Sequence, residues 1–150
     1  MIKIICVGKI KEKYFIDAIN EYIKRLSKYT KIKIIEVSDE NFDKVKTLET
    51  EKNSILKHIT EKDYIVTLEI EGKSIDSLEF SKKVEELLAN YGNICFIIGG
   101  SYGLHEDIKK KSNFSLSFSK MTFPHQMFRM ILLEQIFRAF KIINNETYHK

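Results

Sequence analysis

Proline occurs once in this sequence, tryptophan not at all and cysteine twice, and each scarcity narrows the reading. A single proline, Pro124, leaves no proline-rich linker, and no repeat or low-complexity tract divides the chain. The 150 residues therefore read as one domain, 1–150, long enough to bury a core. Cys6 and Cys95 each sit in a run of β-branched residues, without a CxxC or a paired His/Cys spacing. That argues against a disulfide framework or a zinc site; both are expected as buried, inert thiols, and no metal is expected. Apolar runs such as Cys95–Ile98 and Met130–Leu133 fall far short of the roughly 20 residues that cross a bilayer. The opening Met1–Gly8 has too short an apolar stretch for a signal peptide and no small-residue cleavage site after it. It reads as a first strand, and the expected location is the cytoplasm.

Charge of one sign is also scarce, with a net charge of only +4, but its placement is uneven. Residues 1–104 carry 17 Lys/Arg against 17 Asp/Glu, whereas 105–150 carry 8 against 4. The whole excess thus lies in the C-terminal third, which suits a polyanion such as RNA and equally an ordinary solvated basic tail.

What is present is alternation. Four β-rich runs, Ile2–Val7, Lys31–Val37, Asp63–Glu69 and Asn93–Ile98, with a fifth at Phe114–Phe118, are separated by helical patterns. This predicts an α/β fold with a mainly parallel sheet and helices on both faces. Tyr14, Phe15, Ile19, Tyr22, Ile23 and Leu26 recur at helical spacing. The charged stretch from Phe42 to His58 is a weaker helix with Val45, Leu48, Ile55 and Leu56 as its expected buried stripe. Asp76 or Ser77 can cap a third helix running through Leu88. The last helix, His125 to Asn144, is apolar on two flanks, and each must be covered. Either a second subunit covers one flank in an isologous homodimer, or another helix of the same chain does.

Three segments carry the candidate chemistry. Phe96–Leu104 places Gly99, Gly100 and Gly103 directly after a buried strand, where open α/β sheets bind ligands. It has neither the GK[ST] ending of a P-loop nor the G-x-G-x-x-G spacing of a dinucleotide fold, and a tight turn without a ligand is the alternative. Ser115–Gln126 passes through Pro124 into the last helix, and its extended backbone can present amides and carbonyls to an adenine edge. Thr67–Lys73 ends a strand at Gly72; Leu68 can line a pocket for a flat base or sit in the core, and Glu69 and Glu71 read as solvated. His58 and His105 read as surface residues of helices. The tail ends Tyr148-His149-Lys150, either frayed or offering an aromatic, an imidazole and a cation to RNA.

Taken together, Val7–Tyr14, Thr67–Lys73, Ile97–Leu104, Leu116–Gln126, Glu134–Ile142 and Tyr148-His149 resemble the RlmH-type rRNA large-subunit methyltransferases, from end to end and in the expected order. The resemblance implies a SPOUT fold whose C-terminal part is threaded into a trefoil knot, working as a homodimer. It implies S-adenosylmethionine as cofactor and methylation of N3 of a pseudouridine in large-subunit (23S) rRNA; the modest basic excess, a weak grip on naked RNA, favours the assembled ribosome over free rRNA as the partner. Carried over by motif, Leu68, Gly99, Gly100, Gly103 and the loop Phe118, Ser119, Lys120, Met121, Thr122, Phe123 would contact the cofactor. Arg138 would position the substrate, unless it simply pairs with Glu134 one turn earlier. Tyr148 would face the RNA; His149 and His125 are rival proton acceptors, with His149 the preferred one because a tail can close over a nucleotide.

Overall fold

The computed structural model describes residues 1–150. Strand β1 (Ile2–Val7) is β-branched almost throughout and wholly buried, as is β4 (Asn93–Ile98) beyond its first residue. Continuous apolar strands of this kind need cover on both faces, and that dictates their place at the middle of the sheet. The sheet has the order β2-β1-β4-β3-β5, with every pairing parallel. Its edge strands are β2 (Ile32–Val37) and β5 (Phe114–Ser117), with β3 (Asp63–Ser74) between β4 and β5.

Because side chains alternate across a strand, the sheet divides its residues between two cores. Ile2, Ile4, Cys6, Val66, Ile94, Phe96 and Ile98 face α1 (Lys13–Leu26), α3 (Ser77–Asn90) and α5 (His125–Ile143). Ile5, Val7, Ile65, Cys95 and Ile97 face α2 (Lys44–Leu56) and α4 (Glu106–Lys111). Both thiols are buried, and burial pushes each up to about 12. No helix is long and apolar enough to cross a membrane.

Several expectations are corrected. Strand β3 runs on to Ser74 because, after Leu68 pairs with Leu116, the chain bulges outward and pairs again, Lys73 with Leu116 and Ser74 with Ser117. Gly72 permits the return: a Cβ there would lie 2.8 Å from the backbone carbons of Ser115 and Leu116. In α2 the buried face is Thr47, Glu51 and Ile55, while Val45 is 78% exposed. The helix is turned by its N-cap, Asp43 accepting from Lys46 N, and by Thr47 Oγ1 accepting from Phe42 N at 3.0 Å. His105 is the half-buried N-cap of α4, its Nε2 3.0 Å from Glu49 Oε2. Helix α5 packs between α1 and α3 of its own chain, so both apolar flanks are covered without a partner. What stays partly open is the stripe between them, carrying Met127, Met130 and Ile131 and then Glu134 and Arg138.

Candidate active site

The carboxyl ends of β3, β4 and β5 frame a cleft of about 550 Å³, inside the ~300–1,000 Å³ span of small-molecule sites. Its floor is the turn after β4. Gly99 can bear no side chain, since a Cβ would lie 2.5 Å from the Gly103 carbonyl oxygen. At Gly100 a Cβ would lie 2.9 Å from Val7 Cγ1 and 3.3 Å from the Glu51 carboxyl. Gly103 closes the turn by donating its N–H to Gly100 O at 3.0 Å, at a φ of +77°, and nothing lies within 4 Å of where its Cβ would be. Bare backbone therefore faces the open space.

The second wall is the loop from Ser117 to Pro124. Ser117 Oγ donates to Ser119 O, and Ser119 Oγ accepts from Met121 N at 2.9 Å, so the hydroxyls hold the loop open as a scaffold of amides. Phe118 anchors it from beneath against Phe128 and Phe80, with ring centroids 5.1 and 6.2 Å away. Pro124 is the N-cap of α5, in place of a side-chain cap.

The third wall is the β3 bulge. Glu69 does not stand in solvent as the sequence suggested. Its Oε2 accepts from Ser115 Oγ at 2.6 Å and Thr67 Oγ1 at 2.7 Å, and Lys109 Nζ lies 3.7 Å from Oε1. Hydroxyl donors from two neighbouring strands hold this carboxylate at the rim, a pattern invisible in a linear pair Glu69/Glu71.

Of the residues expected at the cofactor, Leu68, Gly99, Gly100, Gly103, Phe118, Ser119, Met121, Thr122 and Phe123 line this cleft. Lys120 is exposed and is not among the lining residues. His125 lines it too, its ring packed on Gly8 so closely that a Cβ there would lie 2.9 Å from Cε1, with Nδ1 buried and unpartnered. Arg129, one turn on, is buried and anchors the same corner, donating to Glu36 Oε2 at 2.7 Å and to Gly8 O at 3.2 Å. Sequence reasoning did not single it out; its only sign was an arginine one turn after His125 on an otherwise apolar stretch.

Arg138, Tyr148 and His149 are elsewhere. Arg138 Nη2 donates to Glu134 Oε1 at 2.6 Å, as the i,i+4 alternative foresaw, yet the pair is part of something larger. Tyr148 OH donates to the same oxygen at 3.1 Å, the Arg138 guanidinium lies 4.8 Å from the Tyr148 ring centroid, and Arg138 Nη1 meets His149 Nδ1 at 3.0 Å. The Glu134 hydrogen bond raises Arg138 above its ordinary value; burial, then the same carboxylate, raises Tyr148. At neutral pH the group presents a cation and a protonated phenol. It lies thirteen residues along α5 from His125, a helical rise of about 20 Å. Within one chain it does not meet the cleft.

The family described as "Predicted SPOUT methyltransferase" matches residues 1–149. A "Putative ribosomal RNA large subunit methyltransferase H" from Methanococcus vannielii is 55% identical over 157 aligned residues, covering 99% of each chain. A "Ribosomal RNA large subunit methyltransferase H" from Clostridium botulinum (strain Alaska E43 / Type E3) is 52% identical with the same coverage. Among solved structures, a probable methylase family protein from Haemophilus influenzae Rd KW20 superposes with a TM-score of 0.58 at 15% identity, over 99% of this chain and 70% of that one, a likeness of fold. With a glycine-floored cleft at the strand ends and full-length relatives above half identity, the chain belongs to the SPOUT methyltransferases and, among them, to the ribosomal RNA large subunit methyltransferase H family.

Proposed function

We propose that this methyltransferase uses S-adenosylmethionine to methylate N3 of a pseudouridine in large-subunit (23S) rRNA, on the assembled ribosome in the cytoplasm, as a homodimer whose C-terminal part is knotted around the cofactor. The observation that carries the reading is the cleft itself. Gly103 and the backbone of the loop Ser117–Pro124 offer bare polar groups to an adenine edge, with Leu68 and Phe118 as apolar lining. Glu69 and Glu71 against the single cation Lys109 leave the cleft wall anionic, complementary to a sulfonium. Bound there, S-adenosylmethionine supplies an electrophilic methyl carbon.

The chain's own residues do the rest. The target nitrogen bears a proton in the neutral base, so a proton acceptor must lie beside it and a donor or cation must meet the ring carbonyls as negative charge develops. Guanidinium groups only donate, so with Arg138 Nη1 on its Nδ1 the neutral His149 ring carries its hydrogen on Nε2. His149 then acts as a carbonyl donor beside Arg138, and the acceptor role passes to His125, whose ring lines the cleft. Tyr148 stacks against the nucleotide.

The distance of about 20 Å between cleft and tail supports the dimer. Along an isologous α5–α5 contact through Met127, Met130 and Ile131, the tail of one protomer is carried toward the cleft of the other, and each protomer completes its partner's site. Calorimetry with S-adenosylmethionine tests the reading at its base: no detectable binding by the dimer sinks it. Nucleoside mass spectrometry of the product identifies the methylated atom. Methyl incorporation into free rRNA, large subunits and whole ribosomes separates the substrates, and equal activity on protein-free rRNA counts against the assembled particle.

A further inference from the structure

The C-terminal ends of α1 and α5 enclose a second concavity of about 470 Å³. Lys24 and Arg25 enter it from the last turn of α1, Lys28 from the turn that follows and Lys141 from α5. Two carboxylates offset them: Glu21, 3.3 Å from Arg25 Nε, and Glu146, 3.0 Å from Lys141 Nζ and 4.0 Å from Lys28 Nζ. Four cations against two anions leave two positive charges in excess. Lys24 has no acidic partner, and the side chains of Lys28 and Arg25 remain 61% and 47% exposed. The walls between them are aromatic: Arg25 lies 5.9 Å from the Phe137 ring centroid, and Phe137 meets Tyr148 edge-on at 5.0 Å. Tyr148 thus lines this concavity with its ring while its hydroxyl holds Glu134 in the Arg138 group.

Cations in the last turn of α1 complement the helix dipole, and that accounts for Lys24 and Arg25. The same holds for Lys141 in the last turn of α5, but it accounts neither for Lys28, beyond the end of α1, nor for the meeting of the two helix ends in one concave wall shared with the tail. From this convergence we infer a binding site for the phosphodiester backbone of the rRNA strand next to the methylated nucleotide, with Lys24 and Lys28 as its outer contacts. Lysine is a compact point charge on a flexible stem, suited to tracking phosphates without reading bases. The inference rests on rRNA being the substrate; it adds where the strand leaves the target position.

The test compares Lys24→Ala/Lys28→Ala with Lys57→Ala/Lys62→Ala, a double of equal charge on exposed lysines between α2 and β3. Binding of a transcribed, fluorescently labelled fragment of large-subunit rRNA is followed by anisotropy across a salt series. The first double is expected to weaken binding by about ten-fold at low salt and to flatten the slope of log K against log salt by about 2. On ribosomes its KM rises several-fold more than its kcat falls, while affinity for S-adenosylmethionine and the far-UV spectrum stay as in the wild type. The second double is expected to change none of these. Equal losses in both doubles reduce the effect to net charge and overturn the site. Unchanged fragment binding with reduced activity on ribosomes assigns the patch to a protein contact, and overturns it as well. A wild-type protein that neither binds the fragment nor methylates ribosomes removes the substrate reading and this site together; wild-type activity with an unmoved first double removes this site alone.

Discussion

Arg138 and His149 are joined by a 3.0 Å contact between Nη1 and Nδ1 that leaves the imidazole only its Nε2 to offer outward. If that nitrogen donates to a ring carbonyl, His149→Gln keeps a donor and loses little, within about ten-fold in kcat, whereas His149→Ala loses on the order of 10²-fold. Single-turnover methylation of ribosomes distinguishes the two. Equal, deep losses in both variants return His149 to the role of proton acceptor.

Arg138→Ala is expected to lower kcat/KM for methylation by about 10²–10³-fold with affinity for S-adenosylmethionine nearly intact, because Arg138 is not part of the cleft lining. Loss of both together would show that its role is misassigned. A stricter measurement mixes Arg138→Ala protomers with protomers whose cleft is blocked by Gly99→Val. If each site draws its tail from the partner, re-annealed mixtures regain activity that neither parent has. No recovery, in a mixture shown by mass to contain heterodimers, argues for a site within one chain.

The two ends of the glycine turn are expected to fail differently. Gly99→Ala places a methyl 2.5 Å from the Gly103 carbonyl and must displace the turn, abolishing cofactor binding and lowering Tm. Gly103→Ala meets no atom within 4 Å but adopts φ +77°, a strain of roughly 1–2 kcal/mol, and its methyl projects into open space. Its stability loss should be modest and its cofactor affinity clearly reduced. Urea titration and calorimetry on the same samples read the two effects separately.

At the opposite, amino-terminal ends of the strands, Lys3 and Asp63 form a buried pair at 2.6 Å, their side chains 5% and 0% exposed. Burial works against the Asp63 carboxylate, but hydrogen bonds from Lys3, Thr60 N and Asn93 outweigh it and hold Asp63 below the ordinary aspartate range. A group depressed in the folded state stabilises above its unfolded pKa of about 3.9. That contribution is lost as pH falls through the lower folded value. Asp63→Ala strands the Lys3 ammonium with only the His58 carbonyl, a cost of about 3–5 kcal/mol at pH 7. Lys3→Met leaves Asp63 its other two donors and should cost less. Urea midpoints at pH 7 rank the two, and the gap between wild type and Asp63→Ala should narrow in acid.

Periodicity and turn chemistry made much of this protein legible. The bounds of β1 and β4 follow from their continuous β-branched runs, and the start of α5 from Pro124. The cleft followed from clustering, since half of the six glycines fall between 99 and 103. Helix α2 was read as a helix with Ile55 buried, but the rest of its buried face was missed because its weak apolar pattern competes with capping by Asp43 and packing of Glu51 beneath Gly100, neither of which is periodic. Glu69 was misread because its partners, Ser115 and Lys109, are 40 or more residues away.

The sequence by itself therefore determined the α/β class, the strand-end cleft and the family, because these depend on local pattern and on motifs that keep their order along a chain. Tertiary structure alone decided which polar groups act together. It wrapped Glu69 in hydroxyls, covered both flanks of α5 with α1 and α3, and gathered Lys24 and Lys28, from a stretch whose charges cancel in a linear count, with Lys141 into one basic concavity. It also held the Arg138–His149 contact a helix length away from the cleft that their motifs had led one to place beside it. Electrostatics and hydrogen bonding act through space over a few ångströms, and spacing along the chain carries no information about which distant segments the fold will bring within that range.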